Sequence, residues 1–283
     1  MTMEKKLHIE KNTIQETLVI PLFARKLCTE KFPSLFQDPA AIELMEHLDY
    51  DFASMEAQAS GFVQSYGALE IAMRQTDLAI EVKDYLKEHP NAAVVNMGCG
   101  LDQTGENCDN GTCLIYNLDM PDVIEVRNKL IPSKERVKNI ACDINDTSWF
   151  QKIDDSDGSV FFGSGVFYYF KTEEVQKLVN KMAERFSGGK LVFDTSGKTA
   201  LKMMLKTVIK QAGIKNVQAF FHVNNMQQDV LSWLKHAKAS QKGYMLGYSD
   251  LKVPGVPALY RLIAKFGDKV LKIQILRIDF DKS

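Results

Sequence analysis

"VVNMGCGLDQTGENCDNGTCLIYNLDMPDV", residues 94–123, decides the fold. An apolar run ends at Met97 and breaks at Gly98 and Gly100. A second run, "CLIYNLD", ends on Asp119. Glycines directly after a strand let the backbone turn tightly and approach a ligand closely. An acid ending the next strand can accept both hydroxyls of a ribose. The stretch therefore reads as strand, glycine turn, helix, strand and acid, the arrangement that binds a ribonucleoside cofactor.

Working outward, further apolar runs follow: "VKNIACD", "SVFFGSGVFYY" and "KLVFDTS". Polar helical stretches, "MPDVIEVRNKLI" and "EEVQKLVNKMAERF", separate them. Apolar strands alternating with helices predict a parallel sheet covered on both faces, with ligands beyond the C-terminal strand ends. The tail "KVLKIQILRIDF" alternates apolar and polar residues, as an edge or antiparallel strand does. Before it, "NVQAFFHVNNMQQDVLSWLKHA" is expected to add helix. The first 90 residues read as helical. "DPAAIELMEHL" carries a start signal in Asp38-Pro39. In "LEIAMRQTDLAIEVKDYLKEHP", Ile71, Leu78, Val82 and Tyr85 keep helical spacing, and Arg74 is the charge on that stripe. The expected organisation is one domain, with a helical N-terminal cap over 1–90 and a Rossmann-like core with late substrate-side helices over 91–283.

Composition narrows the function classes. Lys and Arg total 35 against 36 Asp and Glu, so no electrostatic footprint points to nucleic acid or an acidic membrane. No apolar run approaches the roughly 20 residues that span a bilayer. The opening "MTMEKKLHIEKNTIQE" lacks the apolar core of a signal peptide, and a cytoplasmic protein is the expectation. Five cysteines, an odd number, do not make a disulfide framework. Cys99, Cys108 and Cys113 lack zinc-ligand spacing and a nearby histidine, so no metal is expected. The expected partner is a small-molecule substrate; oligomeric state is not encoded legibly.

The dinucleotide pattern GxGxxG places its third glycine at 103, where this chain has Gln103, and Gly105 comes two positions later. Its absence argues against an NAD-dependent oxidoreductase, the alternative on a similar sheet. A cofactor without phosphates, S-adenosyl-L-methionine, fits better. Asp143, ending the third strand, is placed to reach an adenine amino group.

"VVNMGCGLD", "YNLDMPDVIEVRNKL" and "GSGVFYYF" together resemble the leucine carboxyl methyltransferase family, in particular its bacterial branch of tetracenomycin-type polyketide O-methyltransferases. "QETLVIPLFARK" resembles that branch too, and the likeness runs from about residue 12 to 280. It implies a Rossmann-like class I methyltransferase: an α/β fold with a mostly parallel seven-stranded sheet, its last strand antiparallel, helices on both faces and a helical N-terminal layer. It implies S-adenosylmethionine-dependent O-methylation of a small acid. The family's cofactor contacts fall on Gly98, Gly100 and Asp102 of the loop, Asp119, Cys142 and Asp143, and Gly163 and Ser164. Arg74 falls where the family binds the cofactor's carboxylate. That role would pair an otherwise costly charge; the other reading is an arginine whose stem packs while its head reaches water. The family's fourth-strand motif reads AEG, and here Gly163-Ser164-Gly165 carries no acid. This motivates a second alternative, a catalytically impaired cofactor-binding protein.

No residue announces itself as a base, as expected if the acceptor is a carboxylate that is already ionised. Substrate-positioning candidates are Arg25, Tyr168, Tyr169 and His222. Arg25 is either a structural surface arginine or an anion clamp. Tyr168 and Tyr169 either wall the methyl-transfer site or belong to the core. His222 is a pocket residue or base, or has no catalytic role.

Overall fold

The two apolar runs around the glycines become neighbouring parallel strands. A computed structural model of the protein describes residues 6–9, 18–132, 134–206 and 218–282. Strand β1 (Leu7–His8) pairs with β2 (Leu48–Asp49) in a separate two-stranded ribbon. The main sheet contains β3 (Ala93–Met97), β4 (Leu114–Asp119), β5 (Val137–Ala141), β6 (Ser159–Gly163), β7 (Lys190–Thr195), β8 (Ala237–Gly243) and β9 (Gln274–Phe280), in the order β5-β4-β3-β6-β7-β9-β8. Pairing is parallel from β5 through β7, and β9 runs antiparallel to both β7 and β8. The strand order reverses between β3 and β6, so the glycine turn after β3 opens at the topological switch point.

Every residue of β3 and β6 is buried, which explains why both read as unbroken apolar runs. Alternate side chains feed two cores. Val94, Ile115, Val160 and Phe162 join one cluster, and Val95, Met97, Tyr116, Leu118 and Phe161 join the other. The first cluster continues into the N-terminal helices. These are α1 (Val19–Lys31), α2 (Pro39–Glu46), α3 (Ala53–Gln58) and the 27-residue α4 (Phe62–Glu88). Helix α2 starts where the sequence predicts: Asp38 accepts the Ala41 N–H at 2.9 Å, and Pro39 takes the first turn.

The remaining α-helices among the described residues are the one-turn α5 (Thr104–Asn107), α6 (Pro121–Leu130), α7 (Thr172–Arg185), α8 (Lys198–Met204) and α9 (Ala258–Phe266). Helix α6 has Pro121 at its start, Asp122 in its first turn and Arg127 and Lys129 in its last, matching the helix dipole. In α9, Tyr260 packs its ring against Phe32, Phe62 and Tyr66, so this late helix lies on the N-terminal helices. No helix among the described residues is long and apolar enough to cross a membrane.

Two expectations change. The segment before the tail is not the helix its composition suggests. Among its described residues, only Gln227–Leu231 forms a π-helical turn, and Ala237–Gly243 is the edge strand β8. The "AKASQKG" of β8 has no apolar alternation because an edge strand leaves much of both faces to solvent. The alternating tail is therefore interior to the sheet, with β8 outside it. Arg74 is also not the one charge that α4 buries. Asp77 and Glu81 on the same helix are 0% and 3% exposed, because α4 is enclosed on most of its circumference.

Candidate active site

The glycine turn is held by main chain and by one acid. Gly98 and Gly100 adopt φ of +67° and +49°, the left-handed region that favours glycine. A Cβ on Gly98 would lie 2.5 Å from Val166, so the loop after β6 presses directly on the turn. The N–H groups of Gly98 and Cys99 both donate to the Leu118 carbonyl, at 2.7 and 3.2 Å. The Gly100 N–H donates to Asp119 Oδ2 at 2.8 Å, and Met120 N–H donates to Oδ1 at 2.8 Å. Burial raises the Asp119 carboxyl above its ordinary range, and the two amides oppose that shift. An ionised carboxylate offers about four acceptor positions, so these bonds leave room for ligand hydroxyls.

Asp102 has a different task. Its Oδ1 accepts the Thr104 N–H and hydroxyl, both at 2.6 Å, and Gln75 Nε2 at 2.5 Å. A carboxylate thus occupies the start of α5, where a pyrophosphate would have to sit, and α5 is only four residues long. Both features oppose a dinucleotide. The missing glycine at 103 is weaker evidence than its spacing suggests. Gly105, buried in α5, lies where a Cβ would come within 3.1 Å of Ile115 on β4, so it supplies the close helix–strand packing two positions later.

Across the switch point, Arg74 reaches from α4 to the residues after β6. A Cβ on Gly165 would lie 2.8 Å from its guanidinium. Arg74 Nη1 pairs with Asp194 Oδ2 at 3.0 Å, and Asp194 Oδ1 accepts the Gly165 N–H at 2.6 Å. The stripe charge is therefore paired by an acid at the end of β7, a partner the sequence alone did not reveal. Burial works against the Arg74 charge, but Asp194 together with Tyr244 and Tyr168 outweighs it and holds the guanidinium more firmly protonated. Its Nε is a buried donor with no partner among the described residues.

Aromatic and acidic groups surround this pair. Tyr168 is buried, and its carbonyl accepts the Phe220 N–H at 2.7 Å. Burial raises its hydroxyl well above the ordinary range, and those of Tyr169 and Tyr244 also rise. The Tyr244 hydroxyl donates to the Glu70 carbonyl. Glu70, one helical turn before Arg74, has its carboxyl pushed up to about 7 by burial, with Arg74 pulling the other way. Sequence reasoning missed Glu70, Asp194 and Tyr244. Glu70 resembles any helix glutamate in sequence, and Asp194 merely ends an apolar run.

The other candidates separate. Cys142 and Asp143 follow β5 beside Asp119, whose carbonyl accepts the Cys142 N–H at 2.9 Å. Cys142 is buried, whereas Asp143 is exposed and accepts the Asn145 N–H at 2.9 Å. Gly163 is packed under the Phe167 ring, and Phe167 stacks on Phe193 at 4.1 Å as core. Ser164 is partly exposed at the same strand end. His222 lies between Phe221 and Val223, whose N–H groups donate to the Tyr168 and Ser196 carbonyls, so its backbone runs beside the segments that follow β6 and β7. Its Nδ1 is 2.9 Å from the Phe220 carbonyl. Arg25 requires correction. It is neither on the surface nor open to a substrate: it is 5% exposed, with Nε on Asp38 at 2.8 Å and Nη2 on the Leu101 carbonyl at 3.2 Å. It ties α1 and α2 to the glycine loop. The five cysteines are free and buried, and among the described residues no cluster is arranged to hold a metal.

Comparison with known proteins gives this arrangement a family. The leucine carboxyl methyltransferase model matches residues 19–183. The tetracenomycin polyketide synthesis O-methyltransferase TcmP of Streptomyces glaucescens is 24% identical over 182 residues, which cover 64% of this chain and 65% of that protein. The match thus spans somewhat under two thirds of the relative's length. Among solved structures, a DUF574 family protein of Streptomyces avermitilis is similar with a TM-score of 0.56 at 12% identity, covering 90% of this chain and 99% of that one. The plantazolicin methyltransferase BpumL in complex with SAH is similar with a TM-score of 0.51 at 14% identity, covering 95% and 99%. The family model covers more than half of the chain, and the chain belongs to the leucine carboxyl methyltransferase family.

Proposed function

We propose that this member of the leucine carboxyl methyltransferase family transfers a methyl group from S-adenosylmethionine to a carboxylate oxygen of a small acidic metabolite. The observation that carries the reading is one mouth that joins a left-handed glycine turn, Asp119 and Arg74. The fit to the cofactor rests on this chain's own atoms. Asp119 has acceptor positions left for ribose hydroxyls, Arg74 Nε is a buried donor without a partner, and Asp102 excludes a pyrophosphate rather than a nucleoside. The exposed Asp143 beside Asp119 suits an adenine amino group. When bound, the cofactor supplies a methyl group on a sulfonium. The name of the Streptomyces relative favours a polyketide-like acid as acceptor.

The protein's part is then alignment and exclusion of water, and alignment can lower the barrier by about 7–11 kcal/mol. Tyr168, Tyr169 and His222 stand where an acceptor would enter, and the tyrosine faces suit a cationic sulfur. Since a carboxylate acceptor is ionised at neutral pH, no residue need remove a proton. One observation favours a second reading. Glu70, with its carboxyl near 7, is able to take a proton from a hydroxyl acceptor.

Calorimetric titration with S-adenosylmethionine, S-adenosylhomocysteine and NAD tests the cofactor. Micromolar-range binding of the first two, about −8 kcal/mol, is expected, and NAD binding alone would overturn the reading. Turnover on panels of carboxylic acids and phenols tests the acceptor and the impaired-protein alternative. An ester, cleaved by mild alkali, with a rate flat above about pH 5 supports the carboxylate. An alkali-stable ether formed at a rate that climbs through pH 7 supports Glu70 as base.

A further inference from the structure

Beneath the glycine turn lies a buried arginine that the proposed chemistry does not use. The Arg127 side chain is 0% exposed. Its Nη1 donates to the Gly100 carbonyl at 2.9 Å and to the Asp102 carbonyl at 2.7 Å. Its Nη2 pairs with Glu106 Oε1 at 2.5 Å. We infer that Arg127 is a positioning residue of the cofactor loop: Nη1 of its guanidinium grips two loop carbonyls while Nη2 is anchored on Glu106, and this fixes Gly100 against Asp119. The inference rests on the cofactor reading above and assigns the residue that shapes that site from below.

The geometry of Gly100 carries the argument. Its N–H is held by Asp119, the acid that ends β4, and its carbonyl by Arg127, eight residues later on α6. One run of sequence, "LDMPDVIEVR", therefore grips both polar atoms of one left-handed glycine. Arginine suits this because its planar fork presents donors at fixed angles, whereas a lysine ammonium is a single point. Asp102 extends the grip. Its carbonyl is held by Arg127, and its carboxylate accepts Gln75, the neighbour of Arg74 on α4. The clamp thus sets the glycine turn relative to the helix that carries the other candidate cofactor contact.

A purely structural role explains the same residue poorly. Apolar side chains of similar volume often serve stability as well as a buried ion pair or better. The network is also incompletely satisfied. Glu106 Oε1 accepts Asn117 Nδ2 at 3.0 Å, yet Glu106 Oε2, Asn117 Oδ1 and Arg127 Nε are buried without partners among the described residues. Partly satisfied buried networks cost stability. Such a cost is expected where the carbonyl positions, rather than the fold, are what the charge secures.

The test compares the full chain with Arg127→Lys and with the double variant Arg127→Met/Glu106→Gln, which removes both charges together. S-adenosylhomocysteine affinity is read by calorimetry, amide exchange at Gly100 and Asp102 by mass spectrometry or NMR, and stability by thermal unfolding. Both variants are expected to remain folded, to exchange the Gly100 amide faster and to bind S-adenosylhomocysteine about tenfold more weakly or worse. In turnover the loss falls on KM for the methyl donor more than on kcat. Wild-type affinity and wild-type exchange in a folded double variant would overturn the inference, whatever its melting temperature. Failure of both variants to fold would overturn it too, by making Arg127 a residue of the fold. A wild-type chain that binds no S-adenosylhomocysteine would instead refute the cofactor reading, with exchange at Gly100 still reporting on the clamp.

Discussion

Replacing Asp194 with asparagine separates the two partners that Arg74 can have. The Asp194 side chain is 3% exposed and that of Arg74 15%. The amide keeps an oxygen for the Gly165 N–H but no charge for the guanidinium. Removing one member of a buried ion pair costs about 3–5 kcal/mol, and the residual exposure of Arg74 places this pair at about 3 kcal/mol. For a chain of this size, 1 kcal/mol corresponds to roughly 2–4 °C, so the ligand-free Asp194→Asn variant should melt about 6–12 °C lower. If Arg74 receives the cofactor's carboxylate, the orphaned guanidinium regains a partner on binding. S-adenosylhomocysteine should then raise the melting temperature of the variant by more than that of the wild type. Methylthioadenosine, which lacks the amino-acid carboxylate, should give no such excess. The assay is thermal unfolding across a concentration series of each ligand. Equal ligand-induced shifts in both proteins, with methylthioadenosine as effective as S-adenosylhomocysteine, would remove Arg74 from the cofactor site. An unchanged ligand-free melting temperature would refute the ion-pair energetics themselves.

Asp119→Asn should weaken S-adenosylhomocysteine binding by about 1.5–3 kcal/mol, through loss of charge-assisted bonds, with calorimetry as the check. Gly98→Ala should destabilise by about 2–3 kcal/mol in urea titration, since its φ is left-handed and the new methyl meets Val166; adding Val166→Ala should recover part of that loss. Asp77→Asn addresses pH. Burial pushes the Asp77 carboxyl up to about 8, against the Met245 N–H and Lys242, with Glu81 adding repulsion. The folded chain therefore keeps a proton that the unfolded chain releases above about pH 4, so stability falls as pH rises from there to about 8. Glu70 contributes with the same sign up to about 7. The asparagine variant should flatten the decline in melting temperature between pH 5 and 9, and an unchanged decline would show that Asp77 does not titrate there.

The parallel core was legible because its strands are enclosed on both faces, so their apolar runs are continuous and the breaks at Gly98, Gly100 and Asp119 stand out. The edge strand β8 was not, since half-exposed "AKASQKG" follows no burial pattern. Arg74 was noticed because it interrupts an apolar stripe. Asp194, which pairs it, lies 120 residues away, and no local spacing encodes that meeting. Arg25 was misjudged for a related reason: a charged residue in a helix reads as exposed until Asp38 and the Leu101 carbonyl are seen to enclose it. Gly105 shows the limit of motif spacing. The requirement is close approach of a helix to β4, and a one-turn helix meets it at a different position from a long one.

The serine at position 164 raises the question of what balances the cationic end of the proposed cofactor. Under that proposal the answer lies in a count of charges rather than in Ser164 itself. At the strand ends facing the glycine turn, the ligand-free chain pairs the Arg74 guanidinium with the Asp194 carboxylate at 3.0 Å. The amino-acid end of the cofactor brings one carboxylate and one ammonium. If Arg74 turns to the incoming carboxylate, Asp194 loses its partner at the strand end beside Gly165, where an ammonium can replace it. Two pairs then exist where one stood, and neither Arg74 nor Asp194 is left alone at either stage. The exchange keeps desolvation from dominating, because each ion leaves one partner for another rather than for an apolar wall. An additional acid at position 164 would sit beside Asp194 and repel it in the ligand-free chain. A small neutral residue there is consistent with an acid placed one strand over, on β7.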